Sequence, residues 1–223
     1  MIPLRDVIPS RTTPFVTIGF IVINALVFFY QLSLGPFVEE FIFYYGLVPA
    51  GFAWVNVFTS MFLHGSFLHF AGNMLYLWIF GDNVEDRMGH GRFIVFYLVC
   101  GAAAALAQTF TNPMSVVPMV GASGAIAGVM GAYFVLYPNS RILTLVPIFF
   151  FIQLIEVPAI FFLGVWFVMQ FLSGVGSIAT ASGEPVGGIA FWAHVAGFAA
   201  GIGTVGLFKR RERQRVEWWD SRL

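Results

Sequence analysis

A chain of 223 residues that is 59% apolar, 18% aromatic and only 10% charged, with a mean hydropathy of +0.85, cannot hide its apolar surface in one soluble core and belongs in a bilayer. Its one cysteine, Cys100, excludes an intrachain disulfide and a metal site built on thiolates.

Crossing a hydrocarbon core of about 30 Å takes roughly 20 helical residues. Broken at Pro, Gly and charge clusters, the chain offers six such blocks, near 15–32, 66–81, 92–110, 122–137, 157–174 and 187–208. The first follows Arg5 and Arg11 but is long and closed by no small-residue cleavage site, so it reads as a retained span. The segment from Ser33 to Gly65 is too long for a turn and too apolar for a free loop. With Phe41, Phe43, Tyr44, Tyr45, Phe52, Trp54 and Phe58, it is expected along the outer interface, where aromatic rings prefer to sit. In the uncharged run from Phe93 to Ser140, Thr111-Asn112-Pro113 with Pro118 and Gly121 mark the turn between the third and fourth spans.

The stretch from Ile142 to Ile155 is apolar yet bounded by Pro147 and Pro158, and would be a seventh span if it crossed. Parity decides against it. With six spans, Arg5, Arg11, Arg87, Arg92, Arg141, Lys209, Arg210, Arg211, Arg213, Arg215 and Arg222 all fall on one side, while the outer loops carry Glu39, Glu40 and Glu184. A seventh would carry the basic tail to the side opposite Arg5 and Arg11, against the positive-inside tendency. The expectation is therefore one all-α, multi-pass membrane domain over residues 1–223. It has a cytoplasmic N-terminal tail over 1–13 and a basic cytoplasmic tail over 209–223, whose Trp218 and Trp219 suit an anchor on the anionic inner leaflet. Short tails without a targeting segment favour a prokaryotic plasma membrane.

Polar groups inside membrane helices are costly to bury, so each asks for an account. His69 and Asn73 stand four apart on one face near the outer end of the second span, and His194 lies about two turns below the outer start of the sixth. Ser123 opens the fourth span within Gly121-Ala122-Ser123-Gly124-Ala125. The ordinary reading of such a serine is a cap or a packing device. However, Gly124 and Gly128 on the fourth span, and Ala193, Gly197 and Gly201 on the sixth, recur at a four-residue interval that lets two backbones approach closely. That brings Ser123 and His194 within reach of each other.

Acyl transfer needs a nucleophile, a base and donors aimed at the developing oxyanion. Ser123 and His194 supply the first two; the Ser123 backbone N–H with the side chains of His69 and Asn73 supplies the third. Glu156 lies at the inner end of the fifth span and Glu184 in an outer loop, so no carboxylate is available to orient His194 and a dyad is expected. His194 must be neutral to accept a proton, and activity should be lost on acidification. No His-Glu-x-x-His helix, intramembrane aspartate pair or phosphate-binding loop is present. His64, His69 and His194 have no acidic or thiolate ligand to join them, so no metal is expected.

These residues carry a resemblance to the rhomboid intramembrane serine proteases. His64-Gly65-Ser66-Phe67-Leu68-His69-Phe70-Ala71-Gly72-Asn73 resembles the family's histidine-rich start of the second helix. Gly81-Asp82-Asn83-Val84-Glu85-Asp86-Arg87-Met88-Gly89 resembles the inner loop after it. Gly121 to Ala125 matches the nucleophile motif, and Ala193-His194-Val195-Ala196-Gly197 the motif bearing the base. The resemblance implies that Ser123 is the nucleophile and His194 the base, with His69, Asn73 and the Ser123 amide as the oxyanion site. It implies hydrolysis of peptide bonds in or near transmembrane segments of membrane-protein substrates, without cofactor, metal or nucleic acid.

It further implies a lateral substrate gate on the fifth span, with Trp166 and Phe171, and an interfacial hairpin before the second. The position four after the serine, aromatic in some members, is Ala127 here, which leaves open what supports the His194 ring. The alternative is a silent relative that binds or escorts transmembrane clients. Retention of both Ser123 and His194 argues against it.

Overall fold

The architecture follows from where the small residues fall. In the structure, a computed structural model describing residues 1–148, 151–179 and 190–210, the chain forms, in order, β1 (Ile2–Asp6), α1 (Phe15–Ser33), α2 (Val38–Tyr45), α3 (Trp54–Thr59), α4 (Phe67–Met88), α5 (His90–Thr111), α6 (Ser123–Leu136), β2 (Arg141–Ile148), β3 (Phe151–Pro158), α7 (Ala159–Ala179) and α8 (Phe191–Phe208). Short 3-10 turns lie at Gly35–Phe37, Pro49–Gly51 and Ser60–Phe62.

Helix α6 is the centre of the bundle. Each residue from Gly124 to Tyr133 is buried, because Gly and Ala on several faces let neighbours approach to backbone distance. A Cβ on Gly124 would lie 2.6 Å from Ala104 Cβ on α5, and one on Gly131 would lie 2.2 Å from the Phe198 carbonyl oxygen on α8. Around this axis pack Phe80, Phe93, Phe96, Tyr97 and Leu163, all essentially inaccessible.

Among the described residues four helices, α1, α5, α7 and α8, are long and apolar enough to cross a membrane by length and composition. Helix α4 is as long as α5, but its last two turns carry Asp82, Glu85, Asp86 and Arg87. The sequence reading made the stretch from Gly81 to Gly89 a loop; it is helical as far as Met88, and Gly89, at φ +80, makes the turn into α5. The N-terminal segment explains the difference, since it supplies donors to these acids. Asp82 accepts from Ser10 Oγ, and Asp86 from the Arg11 amide at 2.5 Å and from the Thr12 hydroxyl. Fully buried Glu85 accepts from the Val16 and Thr17 amides at 3.0 and 2.8 Å and from Thr17 Oγ1 at 2.7 Å. It thereby takes up the free N–H groups at the start of α1, whose own N-cap, Pro14, offers no side-chain bond.

The expectation of an all-α fold needs a correction. Within the stretch that is a candidate seventh span in sequence, residues 142–148 lie in β2 and 151–155 in β3, which pair antiparallel, and β1 pairs with β2 to give a three-stranded sheet ordered β1-β2-β3. Ile142, Thr144, Val146, Ile152, Ile155 and Val157 are β-branched and favour extended backbone. Residues 1–13 are thus no simple tail. Helix α7 starts at Ala159, with Val157 and Pro158 ending β3.

Between α1 and α4, the chain folds into α2, α3 and the 3-10 turns, leaving Phe43, Tyr44, Trp54, Phe58 and other aromatic rings exposed. This segment clamps the loop before α6. Leu47 and Met119 exchange backbone hydrogen bonds of 3.0 and 2.8 Å, and the Gly121 amide donates to Ser60 O at 2.9 Å. Glu184, the expected start of the last span at 187, Arg211, Arg213, Arg215, Trp218, Trp219 and Arg222 lie outside the described residues.

Candidate active site

Gly121 sets up the site. Its φ of +127 is a backbone conformation that side-chain-bearing residues rarely adopt, and a Cβ there would lie 2.7 Å from His69 Cε1 and 3.6 Å from Asn73 Nδ2. The bare backbone therefore runs directly beneath two polar side chains of α4. Two residues later Ser123 begins α6, where a backbone N–H has no partner inside the helix. On α4, Ser66 Oγ accepts from the His69 amide at 3.2 Å, a cap that fixes the first turn.

Ser123 and His194 meet. Their Oγ and Nε2 atoms are 2.8 Å apart across the α6–α8 contact, which Gly124, Gly128, Gly197 and Gly201 make close enough for the purpose: a Cβ on Gly197 would stand 2.1 Å from Gly124 O. The other imidazole nitrogen, Nδ1, lies 2.8 Å from Gln170 Oε1 on α7. An amide oxygen only accepts, so a hydrogen bond to Gln170 in this orientation requires the proton on Nδ1, the tautomer in which Nε2 presents its lone pair to the Ser123 hydroxyl. His194 itself is buried.

His69 and Asn73 gather on the Gly121 side. Asn73 Nδ2 is buried without a hydrogen-bond partner, a donor held ready at a polar site. Behind His69 stands His64, ring centroids 5.3 Å apart, with both its nitrogens unpartnered. Burial pushes the His64 imidazole down to about 4, so it is neutral at physiological pH. Among the described residues no group of three His, Cys, Asp or Glu side chains is arranged to hold a metal ion.

Trp166 and Phe171 part company. The Trp166 ring lies 5.9 Å from the His194 ring, where the small Ala127 leaves its flank to another residue, whereas Phe171 packs edge-on to Trp192 at 6.0 Å. Trp166 and Gln170 are four apart, hence on one face of α7, and both reach the same imidazole. The sequence reading missed Gln170. A signal was present: it is the one amide side chain in α7, a helix otherwise almost wholly apolar.

Residues 51–211, more than half of the chain, match the family model of the rhomboid domain. The chain belongs to the rhomboid family. With its apolar helices, it is accordingly an integral membrane protein. It is 30% identical over 152 residues to mitochondrial Rhomboid protein 1 of Saccharomyces cerevisiae, across 66% of this chain and 40% of that protein. It is 35% identical over 125 residues to the rhomboid protease GluP of Bacillus subtilis, across 53% of this chain and 24% of GluP. The rhomboid protease GlpG of Salmonella choleraesuis matches at 35% over 75 residues, 33% of this chain and 26% of GlpG. The chain spans less than half the length of each of these relatives. The rhomboid-domain match includes His69, Asn73, Ser123, Gln170 and His194.

Proposed function

We propose that this protein is an intramembrane serine endopeptidase that hydrolyses peptide bonds in or near transmembrane segments of membrane-protein substrates, with Ser123 as nucleophile and His194 as general base. The observation that carries this reading is the 2.8 Å contact between Ser123 Oγ and Nε2 of His194. Rhomboid relatives named as proteases support the reaction class.

In the proposed cycle Ser123 attacks the scissile carbonyl while His194 takes its proton, giving a tetrahedral intermediate. Its oxyanion accepts from the Ser123 amide and from Asn73 Nδ2, with His69 alongside. Protonated His194 then gives its proton to the leaving amine, and an acyl-enzyme forms. Water, deprotonated by His194, releases the second product and restores Ser123.

The membrane disposition proposed is six spans, α4 and α6 joining α1, α5, α7 and α8, with both termini cytoplasmic. Arg5, Arg11, Arg87, Arg92, Arg141 and Lys209 at one end of the bundle support that orientation. Helix α6, at 14 residues, is about 21 Å long, shorter than a hydrocarbon core of about 30 Å. If its Leu136 end stands at the inner surface, Ser123 lies below the outer one, in a recess that admits water. The exposed aromatics of α2 and α3 suit an interfacial hairpin, and α7 with Trp166 and Phe171 a lateral gate.

A fluorophosphonate probe tests the reading. It should label wild-type protein on Ser123 and leave Ser123→Ala unlabelled, and His194→Ala should label far more slowly. A folded wild-type protein that neither reacts with the probe nor cleaves a transmembrane reporter would overturn the reading.

A further inference from the structure

The chemistry proposed above needs the imidazole of His194 in one tautomer. With the proton on Nε2 instead, His194 would donate to Ser123 Oγ and could not take its proton. No carboxylate makes the choice here. Among the described residues, the group facing Nδ1 is the amide oxygen of Gln170, at 2.8 Å.

Gln170 does not belong to the rigid centre of the bundle. Helix α7 is unevenly held: at its start Ala159, Phe162 and Leu163 are buried, whereas around Gln170 the residues Val168, Met169, Phe171 and Leu172 are all exposed. Near Gln170 it is fixed to α8 by rings, Phe167 on Phe198 at 4.9 Å, Trp166 on Phe198 at 5.9 Å and Phe171 on Trp192 at 6.0 Å. The same Trp166 flanks the His194 ring at 5.9 Å. Two side chains of one α7 face thus grip the imidazole, one at its flank and one at its proton, and a shift of that helix by an ångström or two would release both.

We propose that Gln170 is a positioning residue that selects the catalytic tautomer of His194, and that the docking of α7 on α8, through Gln170 and Trp166, determines whether the Ser123–His194 pair is competent. This rests on the catalytic reading of that pair. Any displacement of α7 that admits substrate must then be followed by its return before Ser123 can attack.

The test uses the full-length protein in liposomes, with a transmembrane reporter for kinetics and 15N-histidine NMR for the tautomer. Gln170→Leu should lower kcat by about 10- to 100-fold, as is typical for partners that orient a functional histidine, with KM little changed. It should also turn the His194 signal from Nδ1-protonated to a mixture. Gln170→Glu, which keeps an acceptor, should recover most of kcat and the Nδ1–H signal. Phe167→Ala, which removes the ring packed on Phe198 of α8 at 4.9 Å, should produce the same mixture by loosening α7.

Unchanged kcat and tautomer in Gln170→Leu would overturn the positioning role. So would equal losses in the Leu and Glu variants with the wild-type tautomer kept, since an acceptor at this position would then not set the tautomer. An unaltered His194 signal in Phe167→Ala would overturn the link to α7 docking. Fluorophosphonate labelling of the wild type reports separately on the catalytic reading, so the two failures are distinguishable.

Discussion

Gly201 of α8 faces Gly128 of α6 so closely that a Cβ at position 201 would fall 2.0 Å from the Gly128 carbonyl oxygen. Backbone meets backbone there, with no flexible side chain to move aside. One turn nearer the site, Gly197 stands in the same relation to Gly124 O, at 2.1 Å. Gly201→Ala should therefore force α6 and α8 apart, costing about 1–3 kcal/mol as a lowered unfolding midpoint in detergent. The same separation should lengthen the Ser123–His194 hydrogen bond and slow fluorophosphonate labelling. Gly203→Ala on the same helix, where a Cβ meets nothing within 4 Å, is the control and should change neither.

Glu85 gives a second stability prediction. Its carboxylate is fully buried and accepts from Val16, Thr17 and the Thr17 hydroxyl, while His90 Nδ1 stands 2.6 Å from Oε1. Removing it leaves the first N–H groups of α1 buried without partners. Glu85→Ala should cost about 3 kcal/mol or more, the usual result of breaking a buried charge network. Glu85→Gln, which keeps one acceptor oxygen, should recover part of it. Protease resistance of α1 in liposomes is the readout, and an Ala variant as resistant as wild type would show that α1 does not depend on this cap.

How much of this was legible in the sequence depends on whether the information was periodic. The four-residue interval of Gly124 and Gly128, matched by Gly197 and Gly201, implied the close helix pair that brings Ser123 to His194. The hairpin of β2 and β3 was not legible, because an uncharged apolar run reads alike as a buried strand or a span, and its pairing with β1 joins residues far apart in the chain. Gln170 was hidden for a related reason: one amide in an apolar helix shows that a partner exists but not that the partner is His194, 24 positions away. The acids after Gly81 read as a loop because the groups that donate hydrogen bonds to them, the Ser10 hydroxyl and the Arg11 amide, lie 72 and 75 positions away in the chain.

The oxyanion assignment leads to a kinetic prediction. Asn73 Nδ2 is a buried donor without a partner, beside Gly121 at the start of the turn to Ser123. A donor that bonds only to charge developing in the transition state acts on kcat and spares KM. Asn73→Ala should lower kcat by about 100-fold or more, with KM for a transmembrane reporter unchanged within experimental scatter. Gly121→Ala should be at least as damaging, because its Cβ would collide with His69 and strain the backbone at φ +127. A rise in KM at constant kcat in Asn73→Ala would assign that side chain to substrate binding instead.

At the opposite end of the bundle, Asp6 of β1 ties the sheet to the helices. Its Oδ2 accepts from Tyr133 Oη at 2.6 Å and from Asn83 Nδ2 at 2.8 Å. Partial burial pushes this carboxyl up to about 6, against 3.8 for the free group, the Tyr133 hydrogen bond opposing the rise and nearby Asp82 adding to it. The folded protein therefore holds the Asp6 proton more tightly than the unfolded chain does. That contribution to stability is fully present below about pH 4 and is lost as the pH rises through about 6. Because Asp6 is only half-buried and water screens it, the effect should be about 1 kcal/mol or less. Asp6→Asn, which cannot ionise, should remove it: the difference in unfolding midpoint between wild type and variant should favour wild type more at pH 4.5 than at pH 7.5. A difference independent of pH would mean that Asp6 is ionised throughout and that Tyr133 and Asn83 hold it as a carboxylate.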